Sequence, residues 1–575
     1  IATIRADNPI AVDYYRHADQ PAEQAALKIY HHGAPVALSR RVPMLENIGF
    51  RVISERTFEV GEEGVAPVFV HDMELESAYG KPIDLADGGS LFEEVFLAVW
   101  RGEADNDSYN ALAQTAGLRS RDITVLRAYG RYLQQVGIPQ SQDFIAAALN
   151  RYPDIARALH QIFVARFDPG GSEGEVTVKH LKSQIGDALA EVPSLDDDTI
   201  IRRYLNLLDA SLRTNHFVPD LKAGVSLAIK LDPRAVNGMP EPRPWREIYV
   251  YGTEVEGLHL RFGPVARGGL RWSDRAQDYR TEVLGLVKAQ QVKNAVIVPV
   301  GAKGGFYPKR LPPASQRDLW FDAGRQAYIN FVSSLLSVTD NLDGDDVLPP
   351  ANVVRRDTDD PYFVVAADKG TATFSDTANA ISQAHGFWLD DAFASGGSAG
   401  YDHKKMGITA RGAWEAVKRH FREMNRDIQT EPFTVVGVGD MSGDVFGNGM
   451  LLSREIRLIA AFDHRDIFID PAPDAAASFA ERERLFALPR SSWQDYDKSK
   501  LSAGGGIFPR SLKSITLSPA AAAAIGLDKT VASPAEIMNA ILKAPADLLW
   551  FGGIGTYVRG STETNPEVGD RANDA

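Results

Sequence analysis

The chain has 575 residues, 24% of them charged, a formal net charge of −14 and no cysteine. The acidic balance disfavours nucleic acid or an anionic membrane surface as main partner, because both need a basic face. Without cysteine there is no disulfide framework, thiolate metal site, iron–sulfur cluster or cysteine nucleophile. No apolar run approaches the ~18 residues of a membrane-spanning helix. A hydrophobic fraction of 44% supports several cores, and the length corresponds to about three to five domains. The opening IATIRADNPIAV has no charged region followed by an apolar stretch, so it is no signal peptide. Both ends read as cuts in a longer chain, and the lack of disulfides fits a cytoplasmic location.

Residues 26–85 read as a small α/β unit. ALKIY is a strand pattern, and Leu38, Val42, Leu45 and Ile48 fall on one helical face. Pro43 is placed near the first turn of that helix, Gly49 at its end, and FRVISERTFEV and APVFVHDMELES follow as strands. Strand–helix–strand–strand of this size resembles an ACT-type regulatory module, with a ligand-free structural domain as the alternative. Together with the linker before it, it takes residues 1–88. Residues 89–238 read as helical, with DITVLRAYGRYLQQV and DTIIRRYLNLLDASL amphipathic and Ile201, Leu205, Leu208 and Leu212 forming one stripe. From Pro240 strand patterns alternate with helical ones, an α/β domain over 239–412.

That domain holds a concentrated group of cations. In 262–310 a Gly268-Gly269 turn is flanked by Arg267 and Arg271, a helical segment ends near Lys293, and the strand AVIVPV delivers Lys303 into a Gly-Ala-Lys-Gly-Gly turn. Ligands in α/β sheets bind beyond the carboxyl ends of strands, and flanking glycines let a substrate come close. Several cations in an acidic protein suggest a pocket for an anion with two carboxylates. A lysine there can serve as base or proton shuttle near neutral pH; Arg271 and Lys309 read as surface cations. Next, the buried strand YFVVAA ends at Asp368, a carboxylate suited to passing protons beside a lysine. In the polar linker 396–412, Ser398, Thr409 and Arg411 are candidate hinge or nicotinamide contacts.

The stretch 432–470 opens a second α/β pattern over 413–575. The strand FTVV runs into Gly437, Gly439 and Gly443, a helix over about SGDVFGNGMLLSREI follows, and the strand RLIAAF ends at Asp463. This is the setting of a dinucleotide fingerprint, with phosphates on the N–H groups of the turn and helix start. Asp440 and Ser442 lie in that turn. Asp463 is placed to hold a ribose 2′-hydroxyl, which favours NAD; Arg465, two residues on, could instead meet the 2′-phosphate of NADP. No HExxH appears, and the acidic DNLDGDD lacks calcium-loop spacing, so no metal is expected.

VARGGLRWSDR, VPVGAKGGF, VVAADKGTATFSDTAN, GYDHKKMGITARGAWE, GVGDMSGDVFGNGML and LLWFGGIGTY stand in the order of the glutamate dehydrogenase superfamily. In wording the chain resembles the large bacterial NAD-specific glutamate dehydrogenases, with ACT-like modules ahead of the catalytic core. The resemblance implies an α/β multidomain protein comprising an ACT-like α+β module, a helical region, an α/β substrate-binding domain and a Rossmann-type NAD-binding domain cut short at its C-terminal end. It implies reversible oxidation of L-glutamate to 2-oxoglutarate and ammonium, with NAD, in a homo-oligomer of four or six subunits. Carried over by motif, Lys303 activates water or ammonia at the α-carbon, Asp368 transfers protons at the amine, and Lys293 holds the α-carboxylate. Arg267, beside Gly268 and Gly269, falls where the shorter enzymes have a lysine gripping the side-chain carboxylate, and it offers a bidentate fork. Gly437, Gly439, Asp440, Ser442, Gly443, Asp463 and Thr409 form the expected NAD set. The alternatives are another amino-acid dehydrogenase of the superfamily, against which the basic Arg267 argues, and a catalytically incomplete regulatory or assembly fragment.

Overall fold

The computed structural model describes residues 4–61, 66–86, 89–171, 174–219, 221, 224–293, 300–398, 400–489, 491–553 and 560–564, without the side chains of Ala289 and of 291–293. Two compact units divide at 395/396, earlier than the 412/413 boundary expected from sequence, because the residues around Gly407 are tied to the second unit.

The first unit opens with an antiparallel sheet of β1 (Ile10–Tyr15), β2 (Gln24–His32), β3 (Phe50–Val60) and β4 (Val68–Ser77), in the order β1-β2-β4-β3. Helices α1 (Leu38–Ile48) and α2 (Gly89–Trp100) cover one face, where Ile10, Val12, Leu27, Ile29, Leu45, Ile48 and Phe96 join one core. Strand β1 was not read from sequence, although Ile10, Val12 and Tyr14 alternate as a half-buried strand does. Pro43 lies inside α1, not in its first turn. The ring costs a helical hydrogen bond, offset by the buried Met44, Leu45 and Ile48.

The helical layer comprises α3 (Leu112–Ala116), α4 (Ser120–Gln135), α5 (Gln142–Arg151), α6 (Pro153–Phe167), α7 (Gly174–Leu189) and α8 (Leu195–Ala210). Ser141 and Ser194 cap α5 and α8 by accepting from the N–H groups of Phe144 and Asp197. The expected stripe on α8 holds at Ile201 and Leu208, both fully buried. Leu212 instead lies in β5 (Ser211–Thr214).

That strand and β6 (Leu227–Leu231) correct the helical assignment of 89–238, since both belong to the next sheet. The other strands are β7 (Arg246–Tyr251), β8 (Val255–Arg261), β9 (Ala266–Arg267), β10 (Gly269–Trp272) and β11 (Val300–Pro308). After a hairpin of β12 (Asn341–Asp343) and β13 (Asp346–Leu348), β14 (Ala366–Ala367) completes it. The order is β14-β10-β11-β8-β7-β6-β5, with β9 pairing β11. β10 runs parallel to β11 and β14, whereas β8 is antiparallel to β11. One face is covered by α9 (Tyr279–Lys293) and the helical layer, the other by α10 (Arg317–Leu336) and α11 (Ser375–Ala384). Alternation decides the faces: Tyr249, Leu258 and Leu260 point into the first core, Ile248, Val250 and Phe306 into the second. A buried ion cluster ties the segment before β14 to the sheet. Arg213 pairs with Asp340 at 2.7 Å, and Lys230 meets Asp357 at 2.6 Å and Asp360 at 2.8 Å.

The second unit begins with α12 (His403–Met406) and α13 (Ile408–Glu423). Then come β15 (Phe433–Val438), α14 (Asp444–Gly449), β16 (Ile456–Phe462), β17 (Asp466–Ile469), α15 (Ala475–Ala487) and β18 (Gly506–Pro509). β19 (Ile515–Thr516), α16 (Pro519–Ala524), β20 (Val531–Ala532), α17 (Pro534–Lys543) and β21 (Leu548–Phe551) finish it. Its sheet has the order β18-β17-β16-β15-β21, with β21, β15 and β16 parallel and the remaining pairs antiparallel. α13, α14 and α15 share a core with one face, and α16 and α17 with the other.

Candidate active site

In the first unit Lys303 lies within β11, opposite Leu260 of β8. The glycine-rich stretch is thus strand, not the turn expected, and 295–299 of the expected strand lie outside the described residues. Its glycines serve close packing more than substrate approach. A Cβ at Gly304 would come within 2.5 Å of Leu270, and one at Gly305 within 2.5 Å of Val283 on α9. Alternation puts Lys303 on the α9 side of the sheet, level with Gly305.

There Lys303 Nζ meets Asp368 Oδ2 at 2.6 Å, with only 12% and 15% of the two side chains exposed. Asp368 directly follows β14; of YFVVAA only the last two residues are strand. The loop is locked: the Asp368 amide donates to Thr371 Oγ1 (3.0 Å), and the Thr371 hydroxyl donates to the Leu270 carbonyl on β10 (2.7 Å). Burial pushes the Asp368 carboxyl up, but Lys303 and then Arg271 more than offset this and hold it below its ordinary value.

Arg271 is the site residue that sequence reasoning missed. It reads as a surface cation, yet its guanidinium reaches Asp368 Oδ1 at 3.4 Å and Glu282 Oε1 on α9 at 3.0 Å. Period-2 alternation from Gly269 was the available signal, because it places Arg271 on the same face as Lys303 and Gly305. Lys309 is no free surface cation either, since it pairs with Asp105 and with Glu256.

Arg267 is exposed on β9, opposite Gly301. That register sets it on the Lys303 face, two positions back along β11, or about 7 Å. The two glycines after it are sterically required. A Cβ at Gly268 would lie 1.5 Å from the Ala302 carbonyl oxygen, and one at Gly269 would lie 2.7 Å from that of Ala367. Lys293 is the last residue of α9; its side chain lies outside the described residues.

In the second unit β15 delivers Gly437 and Gly439 to the turn. Gly439 has φ +143°, and a Cβ there would strike Phe446 at 2.8 Å, so glycine is needed on both counts. The helix after the turn is six residues, far shorter than SGDVFGNGMLLSREI. Gly449 lies so close to Trp550 that a Cβ would come within 2.4 Å, and the chain leaves the helix at Met450.

The turn's N–H groups are partly engaged. Asp440 Oδ1 accepts from the amides of Ser442 (2.8 Å) and Gly443 (3.2 Å) and from the Ser442 hydroxyl. Burial opposes the charge, but the Ser442 bonds hold the Asp440 carboxyl below its ordinary value.

Asp463 directly follows β16 and turns inward, 4% exposed. Its Oδ1 accepts from the amides of Arg465 and Asp466, each at 2.7 Å. Its buried Oδ2 has no hydrogen-bond partner. Burial and then the adjacent Asp440 push its carboxyl up. Arg465 lies across both acids, 3.6 Å from Asp440 and 3.8 Å from Asp463. Thr409 is exposed in the first turn of α13. Its approach to α14 is fixed by Asn448, which donates to the Lys404 carbonyl and would clash with a Cβ at Gly407. Among the described residues no cluster of His, Cys, Asp and Glu could hold a metal ion, and no helix is long and apolar enough to cross a membrane.

Residues 184–575 match the family model described as bacterial NAD-glutamate dehydrogenase, catalytic domain. Residues 104–169 match glutamate dehydrogenase helical motif 3, and 9–87 match its ACT3 domain. The NAD-specific glutamate dehydrogenase of Halomonas elongata is 54% identical over 99% of this chain and 35% of its own length. That of Pseudomonas aeruginosa is 51% identical over 100% and 36%, and that of Mycobacterium tuberculosis 52% identical over 96% and 35%. The chain thus spans about a third of the length of these curated relatives. Among solved structures, Plasmodium falciparum glutamate dehydrogenase aligns over 68% of this chain and 66% of its own at 14% identity and a TM-score of 0.31, too remote a likeness to bear on the fold.

Proposed function

The chain belongs to the bacterial NAD-glutamate dehydrogenase family, and we propose that it carries the reacting residues for oxidative deamination of L-glutamate to 2-oxoglutarate and ammonium. The observation that carries this reading is the half-enclosed Lys303–Asp368 pair, 2.6 Å apart and flanked by Arg271 on one sheet face. A lysine and a carboxylate in contact can move two protons in one turnover, as the reaction requires. Asp368 takes a proton from the substrate ammonium, and loss of hydride from Cα then leaves an iminium. Lys303 takes a proton from the attacking water, which adds to Cα as hydroxyl. Asp368 returns its proton to the amine nitrogen, the C–N bond breaks as the hydroxyl proton passes to the departing ammonia, and ketone and ammonium form; Lys303 releases its proton to solvent. Glutamate, water and the oxidised cofactor thus yield 2-oxoglutarate, ammonium, the reduced cofactor and one proton.

Arg267 is assigned the side-chain carboxylate and Lys293 the α-carboxylate. Gly268 and Gly269 bring β9 and β10 close enough to β11 and β14 for the cations to converge. The turn Gly437–Gly443 fits a dinucleotide in one specific respect: the buried Asp463 Oδ2 accepts no hydrogen bond and has Arg465 Nε only at 3.8 Å, so it can accept from a ribose hydroxyl. Bound NAD supplies the hydride acceptor. Asp440, Ser442 and Gly443 line the phosphate side, and Thr409 is assigned the nicotinamide side, in a domain we read as Rossmann-type. NAD is preferred to NADP because Arg465 is held between two carboxylates rather than free for a 2′-phosphate. We assign the ACT3-matching residues 9–87 a regulatory role, and the protein a cytoplasmic homo-oligomer of four or six subunits.

The test is NADH formation by the natural full-length polypeptide with L-glutamate, L-leucine or L-phenylalanine and either NAD or NADP. The expected result is turnover of glutamate with NAD above all other combinations. Faster turnover of leucine or phenylalanine would replace the substrate assignment.

A further inference from the structure

Glu282 touches neither Lys303 nor Asp368, yet Arg271 stands between Glu282 and Asp368. The buried Glu282 accepts from Arg271 Nη1 (3.0 Å) and from the Ser273 hydroxyl (2.7 Å). The other guanidinium nitrogen, Nη2, stands 3.4 Å from Asp368 Oδ1, while Lys303 holds Oδ2 at 2.6 Å. Arg271 is therefore shared between two carboxylates and bonds the shorter way to Glu282. If Glu282 carried no charge, the whole cation would fall to Asp368 and compete with Lys303 for it.

The position of Glu282 is in turn set from outside the sheet. It lies in the first turn of α9, and the start of α9 is gripped by Gln135, the last residue of α4. The Gln135 amide donates to the carbonyls of Ala276 (3.3 Å) and Gln277 (3.1 Å), and its oxygen accepts from the Arg280 amide (3.1 Å). Gln135 is 4% exposed, and its bond from the Arg280 amide is buried. Arg280 then pins the same turn to β7 through a bidentate pair with Glu247, at 2.9 and 2.8 Å.

We propose that Glu282 is a positioning residue for the Lys303–Asp368 pair, and that the helical layer sets it through Gln135. This rests on the proposed reaction at that pair. Among the described residues, the charged groups around Asp368 are Lys303 from β11 and Arg271 from β10, with Glu282 of α9 behind Arg271; Arg267 of β9 shares the face. Removing the Glu282 charge leaves the Arg271 cation wholly to Asp368 and so disfavours protonation of Asp368.

Glu282→Gln, Glu282→Asp and Gln135→Met are measured in the natural full-length polypeptide for kcat and KM across pH and for NAD affinity. In Glu282→Gln the acid limb of kcat is expected to move to lower pH by on the order of 0.5–1 unit. Its kcat falls by about tenfold, one such unit of transition-state stabilisation, with KM and NAD affinity nearly unchanged. Glu282→Asp, which keeps the charge, returns the limb toward the wild-type position. Gln135→Met, which cannot grip α9, lowers kcat without weakening NAD. An unmoved limb in Glu282→Gln, or activity lost only in step with folded protein, overturns the role of Glu282. Unchanged kcat in Gln135→Met overturns the link to the helical layer. A wild-type protein that turns over no glutamate would instead remove the reaction itself.

Discussion

Asp463 shows how one side chain can carry opposed costs. Its Oδ1 secures the turn into β17, while its Oδ2 is buried beside Asp440 without a donor. A carboxyl whose folded value is raised contributes fully while protonated, below its ordinary range, and that contribution is lost as pH rises through the folded value. Asn, which never ionises, avoids the loss. Asp463→Asn is therefore expected to raise the melting temperature of the second unit at pH 7–8, by on the order of 2 °C. No gain is expected below the ordinary aspartate range, where Asp463 is protonated anyway. NAD affinity falls in the same variant, because the amide is a weaker acceptor for ribose. Calorimetry and NAD titration across pH read both effects.

At the scale of elements, the glycine doublet before β10 is a packing device. Gly268→Ala would drive a methyl into the Ala302 carbonyl at 1.5 Å, and no rotamer relieves a clash with backbone. β9 and β10 then cannot both pair with β11. The expected cost is at least about 3 kcal/mol, seen as a large drop in the denaturation midpoint together with loss of turnover. Motifs that carry their own context were legible in sequence: the strand–glycine–strand of β15 to β16, the helix α1 with Gly49 behind it, and Asp368 at a strand end. Less legible were elements whose identity depends on neighbours. β5 and β6 are short and flank a loop, and the signal that made them strands is pairing, β6 with β7 and β5 with β6. The Lys303 stretch looked like a turn because glycines dominate it, whereas α9 and Leu270 need glycines in a strand there.

At the scale of the molecule, contacts between distant segments escaped the sequence. Arg271 and Asp368 are 97 positions apart; local alternation gives the face of Arg271 but not its partner. The buried ion cluster on the other face of the sheet is equally non-local. In it, burial pushes the Asp360 carboxyl up, but Arg261 and Lys230 bring it down to about 2. A depressed carboxyl contributes stability above its ordinary value of 3.8, and that contribution is lost as pH falls through about 2. The shift corresponds to about 2 kcal/mol. Acid titration of the first unit should therefore lose stability between these values. Asp360→Asn should lower stability at neutral pH, where it leaves Lys230 and Arg261 short of a buried anion, and flatten the acid dependence.

Turnover of L-glutamate with NAD by the natural full-length polypeptide, compared with its Lys303→Ala variant, tests the central claim most directly. The expected result is kcat reduced by about 10²–10⁴-fold or more in the variant, with NAD binding intact because the second unit is untouched. A folded Lys303→Ala protein that still binds NAD and oxidises glutamate within a few-fold of the wild-type rate would contradict the assignment of the reaction to the Lys303–Asp368 pair.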